Sequence, residues 1–190
     1  MTVCDILKLG SIELITKTKQ VLFPLNQEII QNINDMRDTL LSIPNSAGLA
    51  ANQIGIDKQI IMYRIPEERV NCDEEYFDEP IILINPTIDI YSNEQEDGWE
   101  GCLSIPSLRA IVPRYKEIHV SGFDYNGVLY EKDVKGFYSR NLQHEIDHLN
   151  GITIFERILN KKMISFKSEL NNGILDLNKF TIQNSMGDIP

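Results

Sequence analysis

The stretch Gln143-His144-Glu145-Ile146-Asp147-His148 constrains this chain more than any other. Histidines four apart converge on one point when the stretch is helical, because positions i and i+4 share a face. The fold must therefore supply a helix here, with a space against its histidine face. Glu145 is displaced around the helix from the line joining the two imidazoles, so it can face the open side of a cation without binding it. Two imidazoles, an open coordination position and a neighbouring carboxylate suit metal-assisted hydrolysis. The chain has three histidines in 190 residues, and two of them fall on this pattern. An ordinary helix with two unrelated histidines would not explain that concentration.

At this length one domain is expected, spanning residues 1–190. Hydrophobic residues at 42% and charged residues at 24% are those of a globular protein. No apolar run is long enough to span a bilayer, so no membrane partner is expected. Met-Thr-Val-Cys-Asp-Ile-Leu-Lys at the start has neither a basic segment nor an apolar one ending in small residues, and the expected location is cytoplasmic. A net charge of −10 argues against DNA binding or broad attachment to a phosphate backbone. Much of the acid lies in Glu67–Glu79 and Glu94–Glu100. Three cysteines, Cys4, Cys72 and Cys102, do not make a disulfide framework in a chain of this size.

Leu25, Ile29, Ile30, Ile33, Met36, Leu40 and Leu41 recur at helical spacing and predict an amphipathic helix over 26–42, stopped before Pro44. Gln59–Arg64 and Ile81–Ile84 read as strands, the second stopped by Pro86, with Thr87–Tyr91 a candidate continuation. Pro66–Pro80 reads as an exposed acidic excursion. Glu117–Phe123 and Val128–Tyr130 form a hairpin whose Asn126-Gly127 suits a type I′ turn. The histidine helix is placed at Ser139–Leu149, with Ser139 as its N-cap and Gly151 as its stop. Phe166–Leu170 suggests a last short helix and 184–190 a frayed end. The expected class is α+β: antiparallel or mixed sheets around a central metal-binding helix, preceded by an N-terminal amphipathic helix.

A catalytic tetrahedral site takes three protein ligands and leaves a fourth position for water. One protease pattern runs His-Glu-x-x-His-x-x-Gly-x-x-His. This chain follows it to Gly151 but has Ile154 where the third histidine belongs. A downstream glutamate, Glu156 or Glu169, is a second candidate, and neither sits in a convincing second motif. The third is Cys102, within Trp99-Glu100-Gly101-Cys102-Leu103-Ser104-Ile105-Pro106. A thiolate is a strong ligand and Gly101 permits close backbone approach, so Cys102 is the expected third ligand. A four-ligand structural site would need Cys4 or Cys72 and would leave Glu145 without a role.

Gly48-Leu49-Ala50-Ala51-Asn52-Gln53, Glu100-Gly101-Cys102-Leu103-Ser104 and Gln143–His148 resemble, in order, the three motifs of the peptide deformylases. Ile6–Gly10 is similar to that family's N-terminal segment. The resemblance covers about the first 160 residues, with 166–190 matching weakly. It implies a metal-dependent enzyme that hydrolyses the N-formyl group from the N-terminal formylmethionine of newly made proteins, releasing formate. The ligands would be Cys102, His144 and His148, the general base Glu145, and the donors to the formyl oxygen the Gln53 side chain and the Leu103 backbone N–H. One divalent cation is implied, Fe2+ in the cell, while Zn2+, Ni2+ or Co2+ also suit these donors. The implied partners are N-formylmethionyl nascent peptides and, transiently, the ribosome. The alternative is a metallopeptidase of the His-Glu-x-x-His type, against which Ile154 speaks.

Further residues gain candidate roles. Glu100 would stand beside the ligands, paired with Arg114. Asp147 either orients a ligand histidine or is an exposed helical acid. Arg109 either binds substrate backbone or solvates a loop, Phe137 is a candidate wall for the methionine pocket, and His119 is a strand histidine without function. The family's first motif opens Gly-x-Gly-Leu-Ala-Ala, and Ser46 replaces the first glycine here. If that backbone needs positive φ, serine is strained.

Overall fold

The computed structural model describes residues 2–66, 77–90 and 92–170. Two antiparallel sheets pack around one central helix. The larger has the order β1 (Gly48–Ala50), β2 (Ile60–Ile65), β3 (Phe77–Ile90), β6 (Glu117–Phe123) and β7 (Leu129–Lys135). The smaller has β4 (Gln95–Cys102), β5 (Ile105–Tyr115) and β8 (Ile164–Phe166). The helices are α1 (Gln27–Ser42), α2 (Gly136–Leu149) and the short α3 (Ile154–Arg157) and α4 (Lys167–Leu170). This is the expected α+β class.

Strand periodicity explains how the large sheet sits between two helices. Every residue of β2 is buried. Ile60 and Met62 join the cluster under α1 with Ile29, Ile33, Met36 and Leu40. Ile61, Tyr63 and Ile65 face the other way, against Leu142, Ile146 and Leu149 of α2. Covering both faces accounts for the largely apolar composition of this strand, in which Arg64 is the one charged residue. Helix α1 matches its expected span; Asn26 accepts from the Ile29 N–H at 2.9 Å as its cap.

Helix α2 begins a turn earlier than expected. Strand β7 runs directly to Lys135, and the chain turns at Gly136, whose φ is 61°. Ser139 is therefore internal and not the N-cap. Its hydroxyl donates to the Tyr115 carbonyl at 2.9 Å and pins the helix to the end of β5. The other end agrees with expectation: Gly151 has φ 71°, its N–H reaches the His148 carbonyl, and the Ile152 N–H reaches Asp147. Those two bonds are a Schellman stop.

Three other expectations need correction. Pro86 does not end its strand, because a bulge between Ile84 and Thr87 accommodates it. Asn85, at φ 52°, makes two side-chain bonds to the Val21 backbone there, each 2.8 Å. Phe77–Pro80, expected within an exposed excursion, belong to β3; residues 67–76 lie outside those described. The hairpin turn is not type I′, since of its central residues Gly127 has positive φ and Asn126 does not. The Asp124 carbonyl accepts from Gly127 N–H, and its carboxylate from the N–H groups of Asn126 and Val128, which selects the commoner turn followed by a left-handed glycine. At the C-terminus, Phe166 closes β8 and the expected helix is only Lys167–Leu170. The expected frayed end, 184–190, lies outside the described residues.

Candidate active site

Eleven of the 14 residues of α2 are buried, including Gln143, His144, Glu145, Asp147 and His148. Buried polar groups of this kind need partners, and the partners define the site. Cys102, closing β4, meets the histidine face of α2. The ligand atoms offered by Cys102, His144 and His148 all lie within 4.8 Å of one another. Cys102 Sγ is 3.1 Å from His148 Nε2. Burial pushes the Cys102 thiol up, but the charge of His148 and hydrogen bonds from both histidines outweigh it and hold it well below the usual thiol range.

Glu100 fixes the orientation of His144. Its Oε2 is 2.9 Å from His144 Nδ1, so that nitrogen donates and Nε2 is left for a cation. Glu100 also takes a two-pronged contact from Arg114 at 2.8 and 3.0 Å and one from Arg140 at 2.9 Å. Burial alone would raise its carboxyl; hydrogen bonds from His144 and Arg114 hold it well below the ordinary carboxylate range. Asp147 is neither exposed nor the orienting group of a ligand histidine. It faces away and binds Arg114 and Arg157, each at 2.5 Å in its closest contact. Thus β4, β5, α2 and α3 are joined behind the site by one network of charges, buried except at Arg157.

Glu145 is deeply buried. Its Oε2 has no hydrogen-bond partner among the described residues, and burial pushes its carboxyl up to about 7 against the lowering charges of His144 and His148. Such a group is poised to exchange a proton near neutrality. Gln53 lies in a 3-10 turn over Ala51–Ile54. Its Oε1 accepts the Ala50 N–H at 2.9 Å, which commits its Nε2 toward the centre, 3.6 Å from Cys102 Sγ and 3.2 Å from Ser104 Oγ. Leu103 lines the same cavity, with its carbonyl bonded to Lys8 Nζ at 3.0 Å. Leu7 and Leu9 N–H groups bond the carbonyls of Gln53 and Ser104, so the N-terminal segment laces two of the motif loops together.

Among the described residues neither rival carboxylate, Glu156 or Glu169, joins the cluster of Cys102, His144 and His148. Glu156 is occupied as a helix cap, accepting from Thr153 N–H and Oγ1 at 2.8 and 2.6 Å. Ile154 is buried with Cys102, Ile105 and Val112 in the core of the small sheet. Cys4 is not part of the cluster, and Cys72 lies outside the described residues. Ser46 escapes the strain expected of it, because Asn45 takes the left-handed position at φ 57° and Ser46 does not. The Ser46 hydroxyl lies 2.8 Å from each of the carbonyls of Leu40 and Ile43, at the end of α1. His119 sits on β6 beside Asp133, away from the cluster. Phe137 and Arg109 both line the cavity. Sequence reading assigned no role to Arg140, Arg157 or Ser104. Arg140 lies one turn before His144, a helical spacing that could have flagged it; Arg157 gave no such signal.

A soft thiolate, two convergent imidazoles and an unsatisfied carboxylate beside them fit a divalent cation, and the class this describes is a metal-dependent hydrolase. The sequence model of the family described as polypeptide deformylase matches residues 3–163. Peptide deformylase 2 of Ralstonia nicotianae is 42% identical over 151 residues, covering 77% of this chain and 82% of that protein. Peptide deformylase 1 of Nitrosomonas europaea is 36% identical over 169 residues, covering 88% and 94%. Among solved structures, a class I type b peptide deformylase from Acinetobacter baumannii superposes with a TM-score of 0.76 at 33% identity, covering 83% of this chain and 100% of that one. The Ehrlichia chaffeensis enzyme, solved with actinonin, gives 0.75 at 34% identity, covering 86% and 92%. The chain belongs to the polypeptide deformylase family.

Proposed function

We propose that this chain hydrolyses the formyl group from the N-terminal methionine of nascent peptides, with Cys102, His144 and His148 holding the cation and Glu145 as the base. Family membership makes the reaction deformylation and disfavours the metallopeptidase alternative. The observation that carries the assignment of roles is the buried, unsatisfied Glu145 carboxylate beside three convergent ligand atoms. A divalent cation held there would polarise the formyl carbonyl and lower the pKa of a coordinated water.

The chain's own residues do the rest. Glu145 takes the proton of the attacking water and returns it to the departing amine, leaving formate and a free α-amino group. The Gln53 Nε2 and the Leu103 backbone N–H donate to the formyl oxygen as negative charge develops on it. Glu100 keeps His144 in the tautomer and orientation that present Nε2.

A peptide substrate is supported by the sheet edges. Strand β1 has one neighbour, β2, and β4 has one, β5, among the described residues. Gly48 of the first and Trp99–Cys102 of the second line one cavity of about 620 Å³. Two edges facing one cavity suit an extended peptide that pairs with both. The Acinetobacter baumannii deformylase has been solved with Met-Ala-Ser bound, a product-like tripeptide that such a cavity would take.

Fe2+ in the cell, with Zn2+, Ni2+ or Co2+ in a purified sample, follows from the family resemblance and the donor set. A cytoplasmic location and transient ribosome contact go with nascent substrates, the exposed Lys161-Lys162 pair being a local basic tract for the latter. We read residues 1–190 as one catalytic domain. The test is formate release from formyl-Met-Ala-Ser by protein purified anaerobically with its metal content measured. Formate is expected; cleavage of unformylated peptides without formate would overturn the proposal.

A further inference from the structure

Past residue 163, where the family match ends, the chain adds β8 to the edge of β5 and then α4. The register pairs Leu108 with Phe166, Arg109 with Ser165 and Ala110 with Ile164. This added segment carries Lys167 and Leu170 into the wall of the active-site cavity, which Arg109 also lines. Arg109 is set in place by its surroundings. Its Nη1 donates to the Leu108 carbonyl at 2.7 Å. Its guanidinium lies across Gly101, where a Cβ would come within 2.3 Å of Cζ.

Neither cation is neutralised by a described residue. Among the described residues no carboxylate forms a salt bridge with Arg109 or Lys167. Glu100, the nearest acid in sequence to Gly101, is saturated by Arg114, Arg140 and His144. Glu169, two residues past Lys167, takes the Ser168 hydroxyl at 3.2 Å. In a chain of net charge −10, two unpaired cations on one wall of a substrate cavity stand out.

We infer that Arg109 and Lys167 form a specificity site for an acidic side chain in the first few residues after the formylmethionine. The inference rests on the deformylase reading and deepens it. Arg109 reaches from β5 across Gly101 of β4 toward the edge that would hold the peptide, and Lys167 lines the same cavity from the segment that follows β8. Both are thus within range of the residues just downstream of the methionine. Arg109 is half-buried and Lys167 exposed, so the effect is a preference and not a requirement.

The experiment compares kcat/KM for formyl-Met-Ala-Asp, formyl-Met-Ala-Ser and formyl-Met-Ala-Lys, all with amidated C-termini so that only the side chain carries charge, using the metal-loaded full chain. The aspartyl peptide is expected to exceed the lysyl peptide by about three- to tenfold at low salt, through KM, with the gap narrowing at high ionic strength. Lys167→Gln should shrink the ratio and Lys167→Glu reverse it; Arg109→Gln gives an independent second reading. Equal kcat/KM for the three peptides in an enzyme that releases formate overturns the specificity site and leaves deformylation standing. A preference unchanged by Lys167→Glu and Arg109→Gln also overturns it. Absence of formate from all three peptides removes the underlying reading, and this inference with it.

Discussion

The Glu145 side chain lies against the backbone of Gly48, where an added Cβ would come within 2.3 Å of Oε1 and 2.6 Å of the carboxyl carbon. No ordinary shift of a well-packed helix accommodates that contact, so Gly48→Ala must move the carboxylate. A displacement of about 1 Å at a catalytic group can cost about 10²-fold in rate. Gly48→Ala should therefore lower formate release by about that factor while keeping the cation, because the three atoms nearest the new methyl position all belong to Glu145. Glu145→Gln keeps the shape and removes the base, with an expected loss of about 10²–10⁴. Elemental analysis beside the rate assay checks both; a fully active Gly48→Ala enzyme would show that the Glu145 position is not constrained. Ser46 gives the opposite lesson: its neighbour Asn45 absorbs the left-handed turn, and serine's hydroxyl gains two carbonyl partners that glycine could not have.

Four elements meet behind the site through charged groups as well as through the apolar packing of Ile154 against the small sheet. Glu100 on β4, Arg114 on β5, Asp147 on α2 and Arg157 on α3 form one chain of ion pairs, with Glu100, Arg114 and Asp147 nearly inaccessible. Removing Arg114 would leave two buried carboxylates without their shared partner. Arg114→Met is expected to cost about 3–5 kcal/mol of stability, measurable by chemical denaturation. The same network sets an acid limit. Glu100 has its carboxyl depressed in the folded state, so its stabilisation is fully present above the ordinary carboxylate value of about 4.3. That stabilisation is lost as pH falls below that value toward the depressed folded one. Melting temperature should therefore drop with acidification below about pH 5, and less steeply in Glu100→Gln. Identical slopes in the two proteins would mean that Glu100 does not drive the acid limb.

At the scale of the whole molecule, the ligands come from the end of β4 and from α2, so a bound cation joins the small sheet to the central helix. Binding confined to the folded state stabilises it by about 2.7 kcal/mol when the free cation is a hundredfold above Kd. A chelator should lower the melting temperature, added Fe2+ or Zn2+ should restore it, and Cys102→Ala should respond to neither. Much of this centre was legible in the sequence. The i, i+4 histidines with Glu145, the small-residue run before Gln53 and the Gly101-Cys102-Leu103 segment are local patterns, and local spacing dictates local chemistry. The spans of α1 and β2 were legible for the same reason, their apolar periods being set by the backbone. Elsewhere the deciding partners are far apart along the chain. Asp147, beside His148 in sequence, faces Arg114 and Arg157, whereas Glu100, 44 residues from His144, is the acid that orients its ring. The sequence alone determined which side chains could bind a cation and move a proton. Only the packing of β4 and β5 against α2 decided which acid serves the ligand, which acid serves the scaffold, and that Ser139 ties rather than caps, because each depends on contacts between segments that no local period encodes.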